Sequence, residues 1–294
     1  MHNSLTAATR AALLGLAVGD ALGVPVEFQP RQARVSDPVV GMRAYGTHQQ
    51  PAGTWSDDSS LTFCLAETLA RPSGLSGPPD LADFARRCIN WLDNAYWTAT
   101  AETFDVGNAT RAAINRLQHG VAPTAAGPSS EQDNGNGALM RVLPLVFHAT
   151  WQAEALSLDV AWTLTEAVAS VTHGHARSTL GCFLYLLVAR GLLKGSSPAE
   201  AYEQMHRQAK PWLATASIPA AVQDMHYERV LSGLLPRLAV GEVKSSGYVV
   251  HTLEAAFPRM QRYYARLPDA PLRMPRSQPC PPRIPRFRDP PQCR

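Results

Sequence analysis

The sequence has no Cys-x-x-Cys pair, almost no strict alternation of polar and apolar residues, and no uninterrupted apolar run of membrane-spanning length. Its five cysteines, Cys64, Cys88, Cys182, Cys280 and Cys293, are odd in number and widely scattered. That pattern argues against a disulfide framework and a structural zinc site and reads as reduced thiols. The longest apolar run, Leu180 to Ala189, stops at Arg190, short of the roughly 20 residues a bilayer crossing needs, so no membrane span is expected. The N-terminus carries no basic stretch leading into an apolar segment and a cleavage site, and the expected location is cytoplasmic. Charge is sparse too: 17% of 294 residues are Asp, Glu, Lys or Arg against 45% hydrophobic, a balance that permits one sizeable core.

The net charge of +3 conceals two different regions. Residues 258–294 hold nine arginines, no lysine and two acids, which leaves residues 1–257 with 18 basic and 22 acidic side chains. A mildly acidic body offers no footprint for nucleic acid, which is normally met by basic clusters on a structured face. Only the arginine-rich end is a candidate for an acidic partner, and its ten prolines dilute the charge without any aromatic platform.

What the body does contain is apolar residues recurring at three and four, the helical period, punctuated by Gly and Pro. An all-α domain over 1–257 follows. Helices are expected over Leu5 to Leu22, Ser59 to Ala70, Leu81 to Trp91, Asn108 to Gln118, Gly137 to Ala149, Ser157 to Val171, Arg177 to Lys194, Ser197 to Ala209, Pro219 to Leu235 and Ser246 to Phe257. Ser197-Pro198-Ala199-Glu200 is a start signal, with proline at the first helical position and an acid in the first turn. From Pro258 onward the apolar period vanishes, and a disordered Pro/Arg-rich tail is expected over 258–294.

Several short constellations can carry chemistry. Asp57-Asp58 lies in Gly53-Thr-Trp-Ser-Asp-Asp-Ser59 immediately before a helix. Either an aspartate or Ser59 simply caps that helix, or the two carboxylates and the Ser56 hydroxyl offer three hard oxygens of the kind Mg²⁺ prefers. Asp20 and Glu27 flank a Gly/Pro-rich bend, which is either an ordinary helix end with a solvated acid or a support for a metal centre. Phe104-Asp105-Val-Gly107-Asn108 and Asn134-Gly-Asn136-Gly137 are polar glycine loops before helices, where free N–H groups suit a phosphate, although each alone is as readily a turn. His173-Gly-His175 has no third His or Cys nearby, which favours substrate contact or core packing over metal binding.

In order and spacing, Gly15 to Phe28, Gly53 to Ser59, Phe104 to Asn108, Gly135 to Pro144 and Thr172 to His175 closely resemble the ADP-ribosylglycohydrolase family, over about Arg10 to Ala256. The resemblance implies an all-α orthogonal helical bundle, a cleft holding two Mg²⁺ ions, and hydrolysis of the bond between ADP-ribose and a modified protein side chain or small conjugate. By the same resemblance Ser56, Asp57 and Asp58 match the first metal motif, with Ser56 where the family often has Thr. Glu27 and Asp105 match acids implicated in catalysis, Gly107, Asn136, Gly137 and Met140 match loops that hold ADP-ribose, and His173 matches a substrate-contacting histidine.

The family's second metal motif, Gly-Asp-x-Asp-Thr near the C-terminus, has no counterpart here. After Glu254 the only acids are Asp269 and Asp289, too far apart in sequence to form a chelate. The change of composition at Phe257 reads as a shifted frame or a truncated gene. The expectation is therefore a hydrolase by ancestry with an incomplete second Mg²⁺ site and impaired turnover, or a non-catalytic ADP-ribose-binding protein.

Overall fold

The computed structural model describes residues 2–71, 77–216 and 226–264, and the helical period becomes eight helices of eleven or more residues among them. They are α1 (His2–Gly23), α2 (Asp57–Leu69), α3 (Leu81–Asn94), α4 (Asn108–Gln118), α5 (Leu158–Ala169), α6 (Ala176–Leu193), α7 (Pro198–Leu213) and α8 (Val249–Tyr264). No β-strand occurs among the described residues, only two isolated bridges, Tyr45 with Gln50 and Gly135 with Tyr248.

Helix α6 is the axis of the core. It is apolar on every face, and Leu180, Phe183, Leu184 and Leu186 are fully buried, each worth about 1.5–3 kcal/mol of transfer free energy. Helices α5, α7 and α8 pack on it together with the short 3-10 turn at Leu143–Phe147. Arg190, which interrupts the apolar run, is buried because its guanidinium donates to the carbonyls of Trp151 (2.9 Å) and Ala153 (2.6 Å). The helix ends at Gly195, whose φ of +90° glycine adopts without strain. Helix α7 then starts where the sequence signals it: the Glu200 carboxylate accepts from Ser197 N at 2.8 Å and the Ser197 hydroxyl from Glu200 N at 3.3 Å.

Three expected helices take a different form. Residues 137–149 form turns and the Leu143–Phe147 3-10 segment. Pro144 has no N–H for the carbonyl of Met140, so an α-helix cannot run through it, and it is accommodated in the first turn of the 3-10 segment instead. Of residues 219–235, those from 226 on contain one turn of helix, Glu228–Leu231, broken by Gly233 at φ +75° and followed by a 3-10 turn at Leu235–Arg237; residues 217–225 lie outside the description. Helix α8 runs through Pro258 to Tyr264, beyond the expected stop at Phe257. Phe257 is buried against Tyr202 (ring centroids 5.6 Å), so packing outweighs the one hydrogen bond proline removes. The expected disordered tail lies, from residue 265, outside the description.

Length and mean hydropathy admit two helices as able to cross a bilayer, which run-counting misses because polar residues and glycine interrupt them. The Ala176–Leu193 span is a core helix, 72% buried, whereas Leu5–Val26 is only 11% buried.

Candidate active site

The site is built on the start of α2. Ser56 is its N-cap and accepts from Asp58 N at 3.3 Å, so the cap is the residue before the aspartates rather than Asp58 or Ser59. The decisive partner comes from α1. The Asp20 carboxylate accepts from Ser56 N (3.0 Å) and the Ser56 hydroxyl (2.8 Å), and from Ser59 N (3.0 Å) and the Ser59 hydroxyl (2.5 Å). An anion at the positive end of α2 is favoured by the dipole as well as by these bonds. Asp20 therefore fixes the rotation of the first turn, and with it the direction of Asp57 and Asp58.

Asp57 is buried and Asp58 half-buried, and among the described residues neither carboxylate receives a side-chain hydrogen bond. Burial, then the neighbouring acids Asp58, Asp105, Asp20 and Glu27, push the Asp57 carboxyl well above its ordinary range. Burial, then Asp20, Glu27 and Asp105, do the same for Asp58. Five carboxylates from four segments of the chain thus converge on one place.

Glu27 and Asp105 reach the cluster from two loops. Gly46, at φ +61°, lies so close to Pro25 that a Cβ on it would stand 2.0 Å from the Pro25 carbonyl oxygen. That approach lays the 45–50 loop on the bend after α1, where the Thr47 hydroxyl donates to Glu27 O at 2.7 Å. His48 Nε2 stands 2.8 Å from Glu27 Oε2 and 3.8 Å from Asp105 Oδ2, and single ligand atoms of Glu27, His48 and Asp105 lie within 4.8 Å of one another. Burial first, then a hydrogen bond and repulsion from Asp105, raise the Glu27 carboxyl to about 8. Phe28, Tyr45, Gln49 and Asp105, all around this corner, hold left-handed φ of 53–63°, a cost that persists only where surrounding contacts impose it. The rings of Phe28 and Phe104 flank His48 at 5.8 and 5.3 Å.

A cation fits this donor set. Among the described residues the ion pairs of the five carboxylates go to His48 alone, and a buried and a half-buried carboxylate without hydrogen-bond donors are favoured as anions beside positive charge. Carboxylate oxygens with a serine hydroxyl are hard ligands, suited to Mg²⁺. Ser56 Oγ donates to Asp20 and accepts from Asp58 N, which leaves one lone pair free.

The glycine loops adjoin the cluster. Gly107, two residues beyond Asp105, is the exposed N-cap of α4 without a side-chain cap, so the first N–H groups of that helix are open. The Asn136–Met140 turn lies against α2, with Met140 O 3.4 Å from the Thr62 hydroxyl that donates to Asp58 O at 2.6 Å, and the Asn136 N–H is already given to Gly247 O at 2.9 Å. Gly137 packs on His173 and Thr110: a Cβ there would lie 2.6 Å from His173 Cε1 and 3.1 Å from Thr110 Oγ1. His173 itself is buried, and burial and the Arg141 charge bring it down to about 3, so it is neutral under the loop. Arg141, fully buried, donates to Val168 O, Ala169 O and Thr172 Oγ1, holding the end of α5 and the turn that presents His173.

Sequence reasoning named every acid of the cluster and missed His48, which sits in a stretch without helical period; its only signal is a glycine two residues before it.

A sequence model of the ADP-ribosylglycohydrolase family matches residues 1–270. The chain is 31% identical over 249 residues to ADP-ribosylarginine hydrolase Tri1 of Pseudomonas putida, covering 84% of this chain and 59% of that one. It is 29% identical over 249 residues to the protein of that name from Serratia proteamaculans, covering 84% and 60%. Against the ADP-ribosyl-dinitrogen reductase glycohydrolase of Rhodospirillum rubrum it is 32% identical over 252 residues, covering 83% and 70%. The chain thus spans about three-fifths of the two Tri1 relatives' length.

Proposed function

The chain belongs to the ADP-ribosylglycohydrolase family, and from that premise we propose that its acidic cleft is the site of a Mg²⁺-dependent hydrolase that removes ADP-ribose from a modified protein side chain or a small conjugate. The observation that carries the reading is the pair of carboxylates at Asp57 and Asp58, held without hydrogen-bond donors inside a ring of three further acids.

Ser56, Asp57 and Asp58 are the residues that would hold the metal. When bound, the cation supplies Lewis acidity to ribose hydroxyls and to water. The remaining work falls to side chains. Cleavage at the anomeric carbon passes through a state with positive charge on the ribose, which the ionised acids fixed beforehand around that place favour without reorganising. Glu27, whose carboxyl is raised by burial and by Asp105, is the acid suited to give a proton to a leaving group. Asp105, held by its left-handed backbone and facing His48, is the acid placed to orient a water. The open N–H groups at the start of α4 suit the pyrophosphate, while Gly137, Met140 and the buried His173 shape the turn against which the nucleotide rests.

A second reading is favoured by one feature of the sequence. Residues 255–294 hold only Asp269 and Asp289 as acids, so this stretch supplies no Asp-x-Asp chelate for a second metal. In this reading turnover is weak and ADP-ribose binding is retained. ADP-ribosylated arginine is the substrate to try, with Mg²⁺ or EDTA, on this chain and on a version bearing a Gly-Asp-x-Asp-Thr helix after residue 257. Hydrolysis restored by the added helix supports the first reading with impairment. Calorimetric binding of ADP-ribose without turnover in either protein supports the second, and absence of both overturns the site.

A further inference from the structure

Five of the eleven large apolar side chains left exposed among the described residues fall in one short stretch, Phe28 to Tyr45. They are Phe28, Val35, Val40, Met42 and Tyr45, exposed by 44–91%. Scattered singly such residues need no explanation, but gathered on one loop they mark a surface that meets a partner. The stretch contains a single helical turn, Ala33–Ser36, with no buried residue, so its apolar side chains do not serve the core.

The loop is nonetheless held in shape. Arg43 gives Nη1 and Nη2 to the Asp37 carboxylate at 2.6 and 2.7 Å, and Arg34 Nη1 reaches the same carboxylate at 2.7 Å. Arg31 Nη1 donates to Val243 O at 2.7 Å and so ties the loop to the segment before α8. Its ends, Phe28 and Tyr45, hold left-handed φ of 59° and 63° and are drawn together where Gly46 meets Pro25. Apolar side chains on a loop fixed beforehand lose little conformational freedom when they are covered, which favours binding.

Both ends also stand in the wall of the acidic cleft. Phe28 follows Glu27, and its ring lies 5.8 Å from that of His48, three residues beyond Tyr45. A small conjugate that fills the cleft leaves the loop uncovered. A polypeptide that puts one side chain into the cleft brings its neighbouring residues onto the loop. Phe28 to Tyr45 holds three arginines against one aspartate, so the complementary surface is acidic as well as apolar.

We propose that the 28–45 loop is the docking surface for the polypeptide that carries the ADP-ribose, and that this polypeptide presents acidic and aliphatic residues beside the modified side chain. The proposal rests on the hydrolase reading of the cleft and narrows its substrate from a small conjugate to a protein.

The test is calorimetric titration of the full chain in EDTA with free ADP-ribosylarginine and with three short peptides. One carries an ADP-ribosylated arginine between glutamates and leucines, the second has lysines in place of the glutamates, and the third is the first without its modification. The modified acidic peptide is expected to bind roughly tenfold more tightly than ADP-ribosylarginine, the scale of covering one apolar side chain. Val40→Ser with Met42→Ser should remove that gain and leave ADP-ribosylarginine binding as it is, which also shows that the variant is folded. If ADP-ribosylarginine binds but the acidic peptide is no tighter, the lysine peptide is as tight, or the double variant is unchanged, the docking surface is overturned and the hydrolase reading stands. The unmodified peptide binding as tightly as the modified one separates the loop from the cleft and overturns the proposal as well. Self-association of the parent, read by sedimentation, that the double variant loses while its peptide binding is unchanged assigns the loop to a second copy of the chain instead. Binding of no probe overturns this proposal and the hydrolase reading together.

Discussion

His48 Nε2 bridges two acids of the cleft, 2.8 Å from Glu27 and 3.8 Å from Asp105, and so ties the bend after α1 to the loop before α4. Burial first and Asp105 second hold Glu27 at about 8 against an ordinary 4.5. Between those values the native state binds a proton that the unfolded chain has lost. The contribution of Glu27 to stability is therefore complete below about 4.5 and is lost as pH rises through about 8. Thermal melts in EDTA should show Tm falling from about pH 5 to about pH 8.5, with a shallower fall in Glu27→Gln. Equal slopes in the two proteins would show that Glu27 does not govern the effect.

Removing one charge from the metal-free cluster should stabilise it. Asp57→Asn or Asp58→Asn relieves repulsion among buried carboxylates, and a gain of about 1 kcal/mol raises Tm by roughly 2–4 °C in EDTA. The same substitutions should abolish the rise in Tm that Mg²⁺ gives the parent protein. Differential scanning fluorimetry with and without Mg²⁺ measures both effects, and a variant that loses stability in EDTA while keeping the Mg²⁺ response contradicts the assignment.

Asp20 has the opposite character, because its charge is matched by four donors at the start of α2. Asp20→Ala is expected to cost about 2–3 kcal/mol, the scale of hydrogen bonds to an ionised group, and to weaken Mg²⁺ binding by freeing the turn that aims Asp57 and Asp58. Urea unfolding together with Mg²⁺ titration checks the two losses. Loss of stability with unchanged Mg²⁺ affinity would show that Asp20 only caps the helix.

The fold was legible in the sequence where burial and local preference agree. Ser197 and Glu200 cap α7 as their spacing indicates, and α6 is buried as its composition demands. Asp57 and Asp58 were read as lying just before a helix from Ser59, and the structure starts that helix two residues earlier, with Ser56 as its cap. The failures are tertiary. Apolar period continues through Pro144 and Gly233, so residues 137–149 and 226–235 look helical although their backbone forms turns, 3-10 segments and one helical turn. Pro258 looks like a stop, but the buried Phe257 carries α8 past it. His48 was invisible because what brings it to Glu27 is the contact of Gly46 with Pro25, about twenty residues away along the chain, which no local pattern encodes.

Helix α1 leaves Leu5, Leu14 and Val18 exposed by 41–54%, and beside it Ala12, Leu143, Phe147, Leu192, Leu193 and Met260 border an apolar cavity of about 300 Å³. Large apolar side chains exposed along one helix drive association in water. The protein should therefore show concentration-dependent light scattering, and Leu14→Glu with Val18→Glu should suppress it. Both positions are on the open side of α1, so the double variant should keep the parent's circular dichroism and Mg²⁺ response. If the parent stays monomeric at high concentration, or the charged variant scatters as strongly, the exposed face of α1 is not what governs its solubility.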